Sequence, residues 1–309
     1  MKNITIIGSG SFGCALSYIL SKNNHNIKIW SYTKEETNLI NNEHKCKFLD
    51  NLILTDSIKC YTSYEEAINE SEYIILVVPR NAIIQTCINI KPFIKNQTII
   101  LATKGLSGKD YLLSDVIKDE LNKDVSIISG PSHAEQIIKD IPTYINYYGK
   151  ENIKELFETD NFHLIYNNDY IGMQIGAALK NVIAIICGIA EGLNYETNTM
   201  SYLITKGLKE IKNIGIKMGA KEETFYDLCS LGDLLTTTLS LDSRNKRFGL
   251  LLSKGKNIDE IQKEIGMTIE GLDALNNAHY LIDKYNLDCP LITNLYEIIY
   301  NNKDIHSII

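Results

Sequence analysis

Gly8, Gly10 and Gly13 stand between an apolar β-like run, Ile4 to Ile7, and a helical apolar pattern, Cys14, Ala15, Leu16, Ile19 and Leu20. Strand, glycine turn and helix in that order make a cradle for a pyrophosphate. Gly8 permits the tight turn, Gly10 lets backbone approach the ligand, and Gly13 lets helix and strand pack. The helix N-terminus adds unpaired N–H groups and a positive dipole end. A bare glycine cluster also makes ordinary turns, but its place between a strand and a helix favours dinucleotide binding, with Ser11 and Phe12 completing the turn.

A second chemistry lies far along the chain. Lys180 falls within AALKNVIAIICGIA, a helix apolar over most of its circumference. A lysine desolvated there is costly unless paired, and its pKa tends downward. It could instead snorkel to the surface along its alkyl stem. Asn181 beside it, in the same apolar context, tilts the reading toward function, and a proton-transferring amine suits a hydroxyl/ketone pair. Further on, Asp233 follows Gly232, read here as a glycine turn, and precedes Thr236, Thr237 and Thr238. Ser243-Arg244-Asn245 then open a helix pattern, which reads equally as a phosphate holder or as an N-cap serine with solvated Arg244, Lys246 and Arg247. Lys104 taken alone reads as a solvated loop lysine, and His133 as a hydrogen-bonding surface group. Glu270 is either ligand-facing or a helix start.

These groups need a scaffold. The first half alternates β-rich runs with helical patterns, which predicts parallel βαβ units. Strands are expected at 3–7, 26–30, 57–61, 73–78, 98–102, 125–129, 143–147 and 163–166. Helices are expected near 15–21, 64–69, 82–90, 111–121 and 134–138. From about Tyr170 the β-like runs vanish and helical periodicities take over at 170–192, 198–218, 222–230, 245–254 and 270–285. The expected division is a dinucleotide-binding domain over 1–169 and an all-helical substrate domain over 170–309. With no Gly/Ser-rich linker at the boundary, the two should pack closely, with the site in the cleft between them.

Composition narrows the function classes. Of 309 residues, 44% are hydrophobic and 22% charged, which describes an ordinary soluble globular protein. A net charge of −7 without a basic stripe argues against nucleic acid and anionic membranes as partners. The apolar stretch from Ile171 to Leu193 contains Gln174, Lys180, Asn181 and Glu191, so membrane insertion is not expected. Seven cysteines without a C-x-x-C pair fit a reduced, cytoplasmic setting, and neither a disulfide framework nor a metal site is expected.

Motifs spread along the chain resemble one family. GSGSFG at 8–13, VVP at 77–79, ATKGL at 102–106, SGPSHAEQ at 129–136, LKNVIAI at 179–185, GLKE at 207–210, LGDLLTT at 231–237, SRNKRFG at 243–249 and IEG at 269–271 occur in order. Together they closely resemble the bacterial NAD(P)-dependent glycerol-3-phosphate dehydrogenases. The resemblance implies a Rossmann-like α/β N-terminal domain followed by an all-α C-terminal domain. The reaction it implies interconverts dihydroxyacetone phosphate and sn-glycerol 3-phosphate, supplying glycerophospholipid synthesis. It makes Lys180 the catalytic proton carrier and places Lys104, Gly130, Ser132, Asp233, Ser243, Arg244 and Asn245 on the substrate. Asn181 and Thr237, beside these residues, join the substrate group. Along with the glycines, Ser11, Phe12, Tyr32, Lys104, Ala134, Arg244, Thr268 and Glu270 would line the cofactor pocket.

NADP(H) and NAD(H) are both candidate cofactors. Trp30-Ser31-Tyr32-Thr33-Lys34 lacks the acidic residue that grips a ribose 2′-hydroxyl, and relatives often carry a basic residue where Tyr32 stands. With Lys34 close by, the balance tilts to NADP(H), with NAD(H) also usable. A homodimer is one candidate assembly, which the sequence does not decide. A hydroxyacid or ketopantoate-type reductase and a dinucleotide sensor without turnover are the alternatives.

Overall fold

The computed structural model describes residues 1–108, 110–240, 243–266 and 268–309, which form two compact units. The first comprises Met1–Thr103 and Leu113–Asn168, and the second Lys104–Leu112 and Asp169–Ile309.

The first unit runs β1 (Asn3–Ile7), α1 (Ser11–Lys22), β2 (Asn26–Trp30), α2 (Lys34–Glu43), β3 (Lys45–Cys46), β4 (Leu49–Ile53), β5 (Lys59–Tyr61), α3 (Tyr64–Ile68), β6 (Tyr73–Leu76), α4 (Ile83–Ile90) and β7 (Thr98–Leu101). It continues through α5 (Leu113–Leu121), β8 (Val125–Ser129), α6 (Ala134–Ile137), β9 (Thr143–Tyr148), α7 (Glu151–Phe157) and β10 (Phe162–Tyr166). Eight strands form one sheet in the order β10-β9-β8-β7-β6-β1-β2-β5. Its centre, β1-β6-β7, is almost wholly apolar and buried, as a parallel sheet covered on both faces requires.

The expected all-parallel sheet is corrected at one edge. β9 runs antiparallel to β8, with Ser129 opposite Asn146, and β10 is parallel to β9. The connection over residues 130–142 contains only the four-residue α6 and no full crossover helix. Gly130 lies packed against β9: a Cβ there would meet Ile145 at 2.8 Å. The β3–β4 hairpin, α2 and α7 are further elements that hydrophobic periodicity alone does not reveal. For α2 a capping signal existed. Thr33 accepts a hydrogen bond from the Glu36 N–H at 3.2 Å, the Thr-x-x-Glu pattern of a helix start.

The second unit is built on α8 (Tyr170–Gly192), with α9 (Thr197–Lys217), α10 (Asp233–Leu239), α11 (Arg244–Ser253), α12 (Ile258–Ile265), α13 (Glu270–Tyr285) and α14 (Pro290–Tyr300). α8 is long and apolar enough to cross a bilayer, yet it is buried within its own unit, packed by α9, α10, α11 and α13. Leu106 and Leu112 pair through an antiparallel bridge and join this core, which ties residues 104–112 to the helical unit.

Instead of a continuous helix over 222–230, a 3-10 turn spans Glu222–Tyr226 and a wider turn spans Leu228–Gly232. α12 and α14 lie outside the expected helices, and each carries a start signal. Asn257 and Glu260 form a reciprocal capping box. Pro290 opens α14, whose Leu291 and Ile292 N–H groups donate to the buried Glu210 carboxylate at 3.1 and 3.0 Å. Burial pushes that carboxyl pKa up, and the two N–H donors oppose the shift.

Candidate active site

In the first unit the glycine turn joins β1 to α1. Gly8 has φ +126°, and a Cβ on it would lie 2.7 Å from the Val77 carbonyl oxygen. A Cβ on Gly13 would lie 2.1 Å from the Gly8 carbonyl oxygen. Packing thus requires both glycines. Gly10 differs, since nothing lies within 4 Å of its missing Cβ and no side chain caps the helix it opens. Ser11 and Phe12 form the first turn of α1, and Tyr32 is 86% exposed beyond β2, its ring edge-on to Trp30.

One group near this turn escaped the sequence reading. Glu36, in the first turn of α2, points its Oε2 at the hydroxyls of Ser9 and Ser31, with Ser31 donating at 2.9 Å. The two hydroxyls are themselves 2.8 Å apart. Thr33 N–H faces Ser31 Oγ at 3.4 Å instead of closing a capping box on Glu36. The Thr33-x-x-Glu36 spacing marked a helix start and gave no sign that the carboxylate turns back to the glycine turn.

Elsewhere in this unit, Gly130 and Ser132 follow β8, with Ser132 Oγ donating to the Gly130 carbonyl at 3.0 Å, and Ala134 opens α6. His133 differs from the hydrogen-bonding surface group expected, because its Nε2 is buried with no hydrogen-bond partner among the described residues.

The second unit gathers the amines. Lys180 is 6% exposed and does not snorkel. Its Nζ donates to Asp233 Oδ1 and, at 2.7 Å, to Thr237 Oγ1. Lys104 Nζ takes the other carboxylate oxygen, Oδ2, at 2.6 Å, so one buried aspartate holds two ammonium groups. Burial pushes the Lys180 pKa down to about 8, against the attraction of Asp233 and reinforced by the neighbouring Lys104 charge.

The glycine turn expected before Asp233 is absent. Gly232 is helical (φ −59°, ψ −47°), and its N–H bonds the Asp227 carbonyl five residues back at 3.2 Å. This widened turn runs straight into α10, so Asp233 sits in a first helical turn, where a carboxylate is favoured. Thr237 Oγ1 donates to the Asp233 carbonyl one turn earlier at 2.7 Å, which fixes the hydroxyl facing the amine.

A second network adjoins the first through Asn181. Asn245 Nδ2 donates to Asn181 Oδ1 at 3.0 Å, the Gly271 N–H donates to Asn245 Oδ1 at 2.9 Å, and Asn181 Nδ2 faces Glu270 Oε2 at 3.4 Å. Close helix packing makes this possible, because a Cβ on Gly249 would lie 2.1 Å from the Ile185 carbonyl oxygen. Ser243 is the N-cap of α11, accepting from the Lys246 N–H at 3.3 Å. Arg244 is exposed, with Nη1 donating to the Thr268 carbonyl at 3.4 Å. The solvated reading is corrected for Lys246, which is buried against Glu191 at 2.8 Å, whereas Arg247 is exposed and pairs with Glu264 at 3.2 Å.

Known proteins match this arrangement over almost its whole length. The family model described as NAD-dependent glycerol-3-phosphate dehydrogenase N-terminus matches residues 3–152, and the model for the C-terminus of the same family matches residues 169–309. The chain belongs to the NAD-dependent glycerol-3-phosphate dehydrogenase family. It is 42% identical to glycerol-3-phosphate dehydrogenase (NAD(P)+) of Fusobacterium nucleatum, over 98% of this chain and 94% of that protein. The same-named protein of Clostridium acetobutylicum is 39% identical, again over 98% and 94%. The solved structure of glycerol-3-phosphate dehydrogenase from Coxiella burnetii superposes with a TM-score of 0.94 at 31% identity, over 99% of this chain and 97% of that one. Within this family the chain has the fold expected of it, a Rossmann-like α/β region followed by a helical one. The turn at 8–13 fits the dinucleotide that the family name implies, since Gly10 leaves open the space a Cβ would fill.

Proposed function

We propose that this protein catalyses the reversible, NAD(P)H-dependent reduction of dihydroxyacetone phosphate to sn-glycerol 3-phosphate, supplying glycerophospholipid synthesis in the cytoplasm. The observation that carries the reading is the buried Lys180 amine, held by Asp233 and Thr237 beside a second amine, Lys104. The bound nicotinamide supplies the hydride in one direction and accepts it in the other.

The chain's own part is proton transfer and charge. In reduction, Lys180 Nζ gives a proton to the carbonyl oxygen, and in oxidation it takes one from the hydroxyl. A pKa near 8 leaves both forms populated near neutrality, as a group serving both directions requires. Asp233 holds the amine in either state and is itself kept in place by Lys104. Lys104, paired with the same aspartate, adds positive charge that opposes negative charge growing on the substrate oxygen. Arg244, with the Asn245 amide beside it, is assigned to the phosphate, for which a guanidinium fork is suited. Gly130 and Ser132 complete the substrate group. Gly8, Gly10 and Gly13, with Ser11 and Phe12, take the pyrophosphate on the N-terminus of α1. Tyr32, Ala134, Thr268 and Glu270 are assigned to the rest of the dinucleotide.

The deciding experiment presents purified protein with NADH or NADPH and, separately, dihydroxyacetone phosphate and ketopantoate. Rapid oxidation with the triose phosphate alone supports the proposal. Turnover of ketopantoate instead would move the chain to the hydroxyacid class, and dinucleotide binding with no turnover of either would make it a sensor.

A further inference from the structure

We propose that Glu36 sets the cofactor preference of this enzyme, reading the adenosine ribose 2′-hydroxyl and favouring NAD(H) over NADP(H). The inference rests on the dehydrogenase reading above and adds to it which dinucleotide is used.

Open dinucleotide-binding sheets distinguish the two cofactors with one side chain beyond the second strand. A carboxylate there accepts the 2′-hydroxyl and repels a 2′-phosphate. The residues immediately after β2, Ser31 to Lys34, contain no acid. The fold supplies one from the first turn of α2. Glu36 bends back so that Oε2 meets Ser9, inside the glycine turn, and Ser31, the first residue past β2. The carboxylate therefore lies where the pyrophosphate turn meets the tip of the second strand, roughly 20 residues past the last glycine of the turn, as such an acid should.

Three details separate a ligand-reading group from a mere tie between strand and turn. Both serine hydroxyls converge on one oxygen, and Oε1 makes no hydrogen bond among the described residues, which leaves it for a ligand hydroxyl. Among the described residues no cation pairs with the carboxylate: the neighbouring Lys47 pairs with Glu35 at 3.1 Å, not with Glu36. And the capping partner that normally engages such a glutamate, the N–H of Thr33, faces Ser31 instead. A half-buried, uncompensated negative charge beside the turn is a poor neighbour for a phosphate dianion. This reverses the preference read from residues 30–34 alone.

The test measures dissociation constants for NADH and NADPH by fluorescence titration at fixed ionic strength, without triose phosphate, so that catalysis plays no part. The native protein should bind NADH at least ~10-fold more tightly than NADPH, because juxtaposed like charges are strongly unfavourable. Glu36→Gln keeps an amide oxygen to accept from the two serines but removes the charge, and should shrink that ratio about tenfold, chiefly by tightening NADPH. Glu35→Gln, an equal change of net charge one residue away, should leave the ratio where it was. A purely structural Glu36 predicts no change of ratio in Glu36→Gln, and that result, or a native preference for NADPH, overturns the assignment. If both dinucleotides bind and dihydroxyacetone phosphate is reduced while the ratio stays fixed, only the role of Glu36 falls. If neither dinucleotide binds, the dehydrogenase reading falls with it.

Discussion

The turn at 8–13 and the cluster around Asp233 provide for charge by different means. In the first unit, backbone does the work. Two glycines are packed to contact, a third is left bare, and the helix start has no side-chain cap hydrogen bond among the described residues. In the second unit, side chains do it. Lys104 and Lys180 converge on the Asp233 carboxylate from a loop and a helix, and the Thr237 hydroxyl accepts from Lys180, at the cost of burying charge. Backbone cradles suit a group that is always an anion and never changes state. A proton carrier needs a titratable side chain whose pKa is adjusted by burial and neighbours, and Lys180 at about 8 meets that need for the role proposed for it. The contrast separates holding from reacting.

Substitutions can break this comparison. The largest effect is expected from Lys180→Ala, which should lower kcat for dihydroxyacetone phosphate reduction by at least ~10²-fold. Dissociation constants for the dinucleotides should be nearly unchanged, as measured by titration without substrate. A variant that turned over near the native rate would remove Lys180 from the chemistry.

Next come two glycines of the turn, which should behave oppositely. Gly13→Ala drives a Cβ into the Gly8 carbonyl and should cost about 1–3 kcal/mol in thermal unfolding. Gly10→Ala meets no protein atom, so its unfolding temperature should stay native while dinucleotide affinity falls severalfold. Equal losses of stability in both would refute the division into a packing glycine and a ligand-facing one.

The smaller effect concerns pH. Because reduction needs the protonated amine, kcat/KM for dihydroxyacetone phosphate should fall as pH rises through about 8. Oxidation of glycerol 3-phosphate needs the neutral amine and should rise over the same interval. The inflection belongs to Lys180 together with its charged neighbours. Thr237→Val removes a hydrogen bond that favours the ammonium form, so it should move the inflection lower and reduce turnover by up to ~10-fold. An inflection that did not move would show that Thr237 plays no part in tuning the amine.

Features that depend on short-range physics were legible in the chain itself. Strand, glycine turn and helix over residues 3–22 follow from apolar patterning and backbone sterics. The long buried helix at 170–192 follows from its composition, and the Ser243 cap from its residue type. Ordered motifs indicated the family, though no periodicity did.

Other features were decided only by tertiary packing. Lys104 looked like a loop lysine because its partner, Asp233, is 129 residues away, and the Lys180–Asp233 pair spans 53. The antiparallel direction of β9 was settled by its pairing with β8, and the place of Glu36 by how α2 folds back toward the glycine turn. Local sequence sets φ, ψ and which face is apolar, because these depend on near neighbours. Ion pairs and pKa values depend on which distant groups burial brings within a few ångströms, and that is settled only when the helices and strands pack.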